Sequence, residues 1–234
     1  MTEHDKNELG QPVGKPVTGI FPRPTPPYSP MKGRSCSVVP LDINLHAPGL
    51  YRAFAHDTNG RNWTYLPYGP FTTEIEFTDW ASANCMDTDP MFHTILDEGE
   101  NPVGMASYLR VQPSAGVIEV GHIHFSPLLQ RKPQSTETMY LMMRRVFDEL
   151  GYRRYEWKCD ALNAPSRRAA ERLGFTFEGI FRQATHYKGR NRDTAWYSIL
   201  DIEWPRVRAA FENWLAPDNF DNSGQQLKPL MARA

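Results

Sequence analysis

Val117-Ile-Glu-Val-Gly-His-Ile-His-Phe125 runs into Ser126-Pro-Leu-Leu-Gln-Arg-Lys-Pro-Gln-Ser-Thr136, and these two segments decide the fold. The first is rich in β-branched residues and reads as a strand. Gly121 interrupts it, the mark of a bulge or of a backbone approached closely by something else. The second is a polar linker carrying two cations that feeds directly into a helix. Met139, Met142, Met143, Val146, Phe147 and Leu150 follow at helical spacing and form one apolar stripe. The predicted helix spans Ser135 to Leu150, capped by Ser135 or Thr136 and stopped by Gly151. A helix start fed by such a loop offers free N–H groups and the positive end of a dipole, which together make an anion site.

Outward from this unit, strand and helix patterns alternate. Ser35–Leu41 reads as a strand, His46–Ala55 and Thr72–Asn84 as helices, and Met91–Asp97 and Val103–Val111 as strands separated by a turn. Downstream lie a strand at Arg154–Cys159, a helix at Ala164–Leu173 closed by Gly174, and a long strand at Phe175–Lys188. The turn Lys188-Gly-Arg-Asn-Arg192 and a strand at Thr194–Ile202 complete an antiparallel hairpin. Pro205 opens a last helix over Val207–Leu215. The expected class is α+β, in α/β/α layers around a mixed, largely antiparallel sheet.

Composition sets the outer bounds. The chain has 234 residues, 40% apolar, with 26 basic and 27 acidic side chains. That balance argues against a nucleic-acid binder, which usually carries a basic excess. No apolar run reaches the length of a membrane span, and the opening residues lack the basic and apolar regions of a secretory leader. Cys36, Cys85 and Cys159 are odd in number and widely spaced, fitting neither a disulfide framework nor zinc. A cytoplasmic protein acting without membrane or nucleic acid is expected. Seven of the 20 prolines fall between Pro12 and Pro30, so residues 1–33 read as an extended arm, loose or laid over the surface, with binding of a partner domain as the sharper alternative. Residues 34–204 form the expected domain, and 205–234 a C-terminal helix and polar tail. That helix either caps its own core or dimerises, leaving monomer and homodimer open.

Ile118-Glu-Val-Gly-His-Ile-His-Phe-Ser-Pro127, the loop after it, and Asn163-Ala-Pro-Ser-Arg-Arg-Ala-Ala-Glu-Arg-Leu-Gly-Phe175 resemble the GNAT superfamily of acyl-CoA N-acyltransferases. The branch that includes ribosomal-protein N-terminal acetyltransferases is the most similar. The resemblance runs from about Val38 to Glu203. It implies a sheet whose central strand pair splays to admit CoA, acetyl-CoA as co-substrate, and no metal. The CoA pyrophosphate would rest on Gln130, Arg131, Lys132, Pro133, Gln134, Ser135 and Thr136. Pro133 stands where the family usually has glycine and contributes no N–H, a loss that Arg131 or Lys132 can offset by charge. The pantetheine would pair with the backbone of Ile123, His124 and Phe125, and Asn163 would contact CoA or simply cap a helix.

For catalysis, the resemblance points to Glu119 as a base acting through water and to Ser166 beside the departing sulfur. The tyrosine many relatives use for that second role is absent, since Ala170 occupies its place. His122 and His124 compete for the base role. Spaced by two, they share one face of an ideal strand, and no third ligand follows that would make them a metal site. The acceptor would be a small-molecule or peptide amine lying between the early helices and the final hairpin. Trp63, Tyr65, Tyr68 and Phe71 can line that space or merely pack, and the Lys188–Arg192 turn can meet an acidic acceptor or merely be solvated. A CoA-binding or protein-interaction module without turnover is the alternative on the same fold.

Overall fold

The computed structural model describes residues 5–232. Residues 1–4 of the expected arm, with part of the leader reading, and 233–234 of the expected tail lie outside the described residues. Asp5–Lys6 (β1) and Pro12–Val13 (β2) form a small separate hairpin. The main sheet comprises Met31–Lys32 (β3), Ser37–Pro40 (β4), Met91–Leu96 (β5), Pro102–Gln112 (β6), Val117–Phe125 (β7), Arg154–Asp160 (β8), Thr176–Tyr187 (β9) and Arg190–Leu200 (β10). Its spatial order is β3-β4-β5-β6-β7-β8-β10-β9. Every neighbouring pair is antiparallel except β7 and β8. Those two are parallel because a helical crossover joins them.

The helices are Ile43–Phe54 (α1), Glu74–Asn84 (α2), Pro133–Arg144 (α3), Ala164–Arg172 (α4) and Trp204–Leu215 (α5). Alternation along the strands sorts side chains into two cores. Ile95, Ala106, Ile118, Val120, Tyr155 and Trp157 join the apolar stripes of α3 and α5 on one face. Phe92 and Met105 join Leu50, Phe54, Trp63, Phe77 and Ala81 of α1, α2 and their connection on the other. The result is the expected α+β layering.

Several boundaries differ from the sequence reading, each for a local reason. Helix α3 begins at Pro133 rather than Ser135, with Lys132 as the residue before it and no side-chain cap. Proline suits the first helical position, where its fixed φ is helical and no N–H is needed. The helix ends at Arg144 and continues as a π turn over Arg145–Glu149, closed by the Leu150 N–H on Arg145 O. Helix α1 begins at Ile43 because Asp42 accepts from the Leu45 N–H. At α2, Thr73 accepts from Glu76 N–H, while Glu76 accepts from the amide and hydroxyl of Thr72, a reciprocal cap.

The Pro-rich segment lies against the domain. Arg23 N–H donates to Pro113 O, Tyr28 to Asp87 O, and Met31 is buried beside β4. Two buried charges of the α3 region receive it. Glu137 accepts from the amides of Arg34 and Ser35 and from the Ser35 hydroxyl, and Arg145 donates to the carbonyls of Ser29 and Pro30. Helix α5 buries Trp204, Val207, Phe211 and Trp214, and the following chain folds back to bury Leu230 and Ala232. Among the described residues, no helix is long and apolar enough to cross a membrane, and no group of His, Cys, Asp and Glu is arranged to hold a metal.

Candidate functional site

Strands β7 and β8 pair only from Val117 opposite Arg154 to Val120 opposite Trp157, and then part. The cause lies on the other edge of β7. Ser107 of β6 faces Gly121, yet Met105 faces His124, so β7 carries one more residue than β6 across this interval. That is a β-bulge, which bends the strand that bears it. His122 sits in the left-handed region at φ +49, an uncommon conformation for a residue with a Cβ. Gly121 belongs here on packing grounds, since a Cβ would lie 2.9 Å from the Leu109 side chain. The bulge also reverses side-chain alternation. Ile118 and Val120 face the α3 core, so Glu119 faces the opposite side. An ideal strand would send His122 and His124 with Val120. The extra residue returns both to the side of Glu119.

The two histidines then meet an aromatic layer. His124 is buried against Trp63 and Phe54, with ring centroids at 3.9 and 4.2 Å. Neither of its nitrogens has a hydrogen-bond partner among the described residues, and burial holds its pKa down at about 3. His122 lies 5.0 Å from the Phe92 ring, with Nδ1 3.1 Å from the Tyr68 hydroxyl. Its pKa is lowered to about 4, first by burial and then by the Arg110 and Arg192 guanidiniums. Both rings are therefore neutral at pH 7. Burial raises the Tyr68 phenol well above its ordinary value, so it too is neutral.

Glu119 has a different setting. One of its oxygens is 2.8 Å from Lys158 Nζ, and the carboxylate takes both oxygens to within 2.8 Å of Arg110 Nη1. Lys158 also reaches Glu156 at 2.7 Å, and Arg154 pairs with Glu156 at 2.6 Å. The side chains of Glu119, Lys158 and Glu156 are only 4%, 8% and 10% exposed. The Lys158 ammonium also lies 3.7 Å from the Trp196 ring centroid, a favourable cation–π position. This ladder of alternating charge crosses β6, β7 and β8 on the face shared with the histidines.

Below the splay, the loop returns to the helix start. Arg131 is left-handed at φ +61, and the amides of Arg131 and Gln134 donate to no acceptor among the described residues. Pro133, as the first helical residue, costs the helix no bond. Ser135 uses both its amide and its hydroxyl on Lys132 O, and Thr136 accepts from Arg172. Gln130 Nε2 donates to Phe125 O at 2.8 Å, so that carbonyl on the strand edge has a partner within the chain. Cys36 Sγ donates to Gln134 O. Across the gap, Asn163 caps α4 by accepting from Ser166 N–H at 3.1 Å. Ser166 Oγ accepts from Trp157 Nε1 at 3.0 Å, and its hydroxyl faces the buried Cys159 sulfur. Ala170 is buried in the core.

The final hairpin closes over this gap. Lys188 Nζ donates to Trp63 O at 2.8 Å, Tyr187 donates to Asp160, and Tyr65 donates to Leu162 O. Thus the structure brings Glu119, His122 and His124 to one face, gathers Gln130 through Thr136 at the helix start, and places Asn163 and Ser166 on the opposite wall. Ile123 and Phe125 pack toward the α3 core. Sequence reasoning missed Lys158, Glu156, Arg110 and the hydroxyl of Tyr68 on His122. Charge alternating with apolar residues in Arg154-Tyr-Glu-Trp-Lys-Cys159 was the available signal for the first two.

An acetyltransferase (GNAT) domain profile matches residues 38–176. Among solved structures, a GCN5-related N-acetyltransferase from Brucella melitensis is 46% identical, with a TM-score of 0.87 over 89% of this chain and 95% of that one. A probable GNAT-family acetyltransferase from Chromobacterium violaceum is 38% identical, with a TM-score of 0.74 over 83% and 100%. The ribosomal α-N-protein acetyltransferase RimL, 19% identical with a TM-score of 0.63 over 78% and 99%, shares the fold. A search of curated proteins finds no match.

Proposed function

The chain belongs to the GNAT acetyltransferases, and on that premise we propose that it transfers an acetyl group from acetyl-CoA to a primary amine, by direct attack in a ternary complex at the splay between β7 and β8. The observation that carries this reading is the continuity of three features. An unpaired strand edge runs from the bulge to a loop with free amides at a helix start, and a neutral histidine stands at the bulge itself. Pantetheine would take the strand edge ahead of the Phe125 carbonyl, which Gln130 holds, and its phosphates would meet the Arg131 and Gln134 amides with Arg131 and Lys132. Pro133, at a position that needs no N–H, gives the inactive alternative no support.

In this reading His122 is the base. The tautomer with its proton on Nδ1 donates to the Tyr68 oxygen and leaves the Nε2 lone pair, which has no partner among the described residues. The amine nitrogen attacks the thioester carbon, His122 Nε2 takes the amine proton, and the carbon–sulfur bond breaks to release CoA thiolate, which the Ser166 hydroxyl steadies by a hydrogen bond and which takes its proton from solvent. Glu119, already ion-paired to Lys158 and Arg110, shapes the wall beside this centre.

Calorimetric titration with acetyl-CoA tests the site, with binding expected on the order of micromolar. Ser135→Asp places a carboxylate at the helix start and should weaken binding at least about tenfold. Absence of binding to the unaltered protein would overturn the reading. In a thiol-release assay over a panel of amines, His122→Gln should cut kcat by about 10²- to 10⁴-fold with acetyl-CoA affinity retained. A comparable loss in Glu119→Gln alone, with His122→Gln active, would transfer the base role to Glu119.

A further inference from the structure

The cations on the site face fall into two groups. Lys158 and Arg154 are ion-paired within the ladder, and Arg110 is bound to Glu119. Arg192 of β10 is not. It makes no salt bridge among the described residues, its Nε is buried without a hydrogen-bond partner, and its guanidinium stands 5.8 Å from the Tyr187 ring centroid. The neighbouring acids are spent elsewhere. Asp160 accepts from Leu162 N–H and the Tyr187 hydroxyl, and Asp193 accepts from the Gln183 amide and Asn191. Arg23 also has a buried, unpartnered Nε, but it stacks on Phe21 in the arm, away from the splay.

Position gives the unpaired charge its meaning. Ala195 and Tyr197 face the α3 core, so by alternation Trp196 and Thr194 face the side of Glu119 and the histidines, and Arg192 follows them past an irregularity in the β9–β10 pairing. The Arg192 charge reaches His122 on one lip of the splay and Cys159 on the other. It is held at the gap by a hairpin pinned through Lys188 to Trp63 O and through Tyr187 to Asp160. A guanidinium half-buried there lacks the planar anion that its forked donors suit.

We infer that Arg192 receives a carboxylate of the acceptor, so that the substrate class is an amine carrying an acid group a few bonds from the reacting nitrogen. A free α-amino acid and an N-terminal residue followed by acidic side chains share that chemistry. The inference deepens the acetyl-transfer reading and rests on it for the identity of the reacting group. Arg192 is then a specificity residue that binds the acceptor, while the base and the CoA cradle lie elsewhere.

The test uses the full chain with acetyl-CoA and two matched pairs of acceptors. One pair is serine and serinamide. The other is the amidated tetrapeptides Ser-Asp-Asp-Ala and Ser-Asn-Asn-Ala. The acidic member of at least one pair should be preferred about tenfold or more in kcat/KM, and which pair shows it distinguishes the free amino acid from the peptide. In Arg192→Gln that ratio should collapse toward one, mainly through KM, and Arg192→Lys should restore part of it. Equal use of both members in both pairs by the unaltered protein, or a ratio that survives Arg192→Gln, would overturn the inference. Should no amine release thiol, the acetyl-transfer reading falls and binding decides this one. Calorimetric binding of the acidic member to CoA-saturated protein, lost in Arg192→Gln, would uphold the receptor role. Absence of such binding would end it.

Discussion

The two lips of the splay are made of opposite materials. On the β7 lip, His122 and His124 are pressed into rings from Phe54, Trp63, Tyr68 and Phe92, and burial keeps them uncharged. On the β8 side, Glu156 and Lys158 are buried as ions that complete each other and hold Glu119 at the last paired residues of β7. Both solutions keep polar side chains out of water. The first removes the charge, and the second pairs it. For acyl transfer the difference has a use: a neutral nitrogen can accept a proton, whereas a carboxylate clasped by two cations serves better as a fixed wall.

Breaking the charged lip should have the largest effect. Lys158→Met would leave Glu119 and Glu156 facing one another without the ammonium between them, since their residues are register partners on β7 and β8, and each would keep only its arginine. Removing one partner of a buried ion pair typically costs about 3–5 kcal/mol. A loss of that size is expected in urea denaturation at pH 7. The triple change Lys158→Met, Glu119→Gln and Glu156→Gln should recover much of it, because no buried unpaired charge remains: Arg154 keeps Glu178, and the Arg110 side chain is exposed. If Lys158→Met alone were neutral, the lip would be solvated and the contrast with β7 would dissolve.

This contrast was only partly legible in the sequence. The strand–loop–helix unit could be read because its signals are local: alternation before Gly121, a polar loop, and a methionine stripe at helical spacing. The charged face of β8 was equally local. Its pairing with Glu119 was not, because it depends on the register between strands joined through a helix. Gly121 correctly signalled a bulge, but nothing in the residue order says that His122 takes the left-handed position or that both histidines thereby change sides. Pro133 read as a loop residue that damages an anion site, and it proved to be the first residue of the helix. Nothing in the residue order marks Glu137 and Arg145 as buried charges. Their partners, the amides and carbonyls at residues 29–35, lie more than 100 positions away in the chain.

The dry lip can be probed by acid. An unfolded histidine takes its proton near pH 6.5, whereas folded His122 and His124 do so only near 4 and 3. Between those limits the unfolded chain binds more protons, so the stability held above pH 6.5 is lost as pH falls. Each group contributes up to about 1.4 kcal/mol per pH unit within its window. His124→Phe keeps a flat ring against Trp63 and Phe54 and removes one contribution. Denaturation at pH 7, 6 and 5 should show a shallower decline for this variant, with stability at pH 7 equal or higher. An unchanged slope would mean that water or a proton reaches His124 in the native state.

The smallest expected effect sharpens the comparison most, because it separates the neutral histidine from its support. Tyr68 belongs to the aromatic lip by packing and to His122 by one bond, and Tyr68→Phe deletes only the bond. A single neutral hydrogen bond is worth about 1 kcal/mol net, which corresponds to a few-fold loss in kcat if it selects the His122 tautomer. The acetyl-CoA affinity should not move, since the phenol's hydrogen-bond partner is His122 and no residue assigned to CoA. A structural contact alone would lower stability and leave kcat per folded molecule untouched. A positioning contact would lower kcat while the acid limb of the rate profile shifts, because His122 would lose the acceptor that fixes its Nδ1 proton. The second pattern, appearing in Tyr68→Phe and absent in His124→Phe, would show that only one of two histidines in the same dry wall is tied to the chemistry.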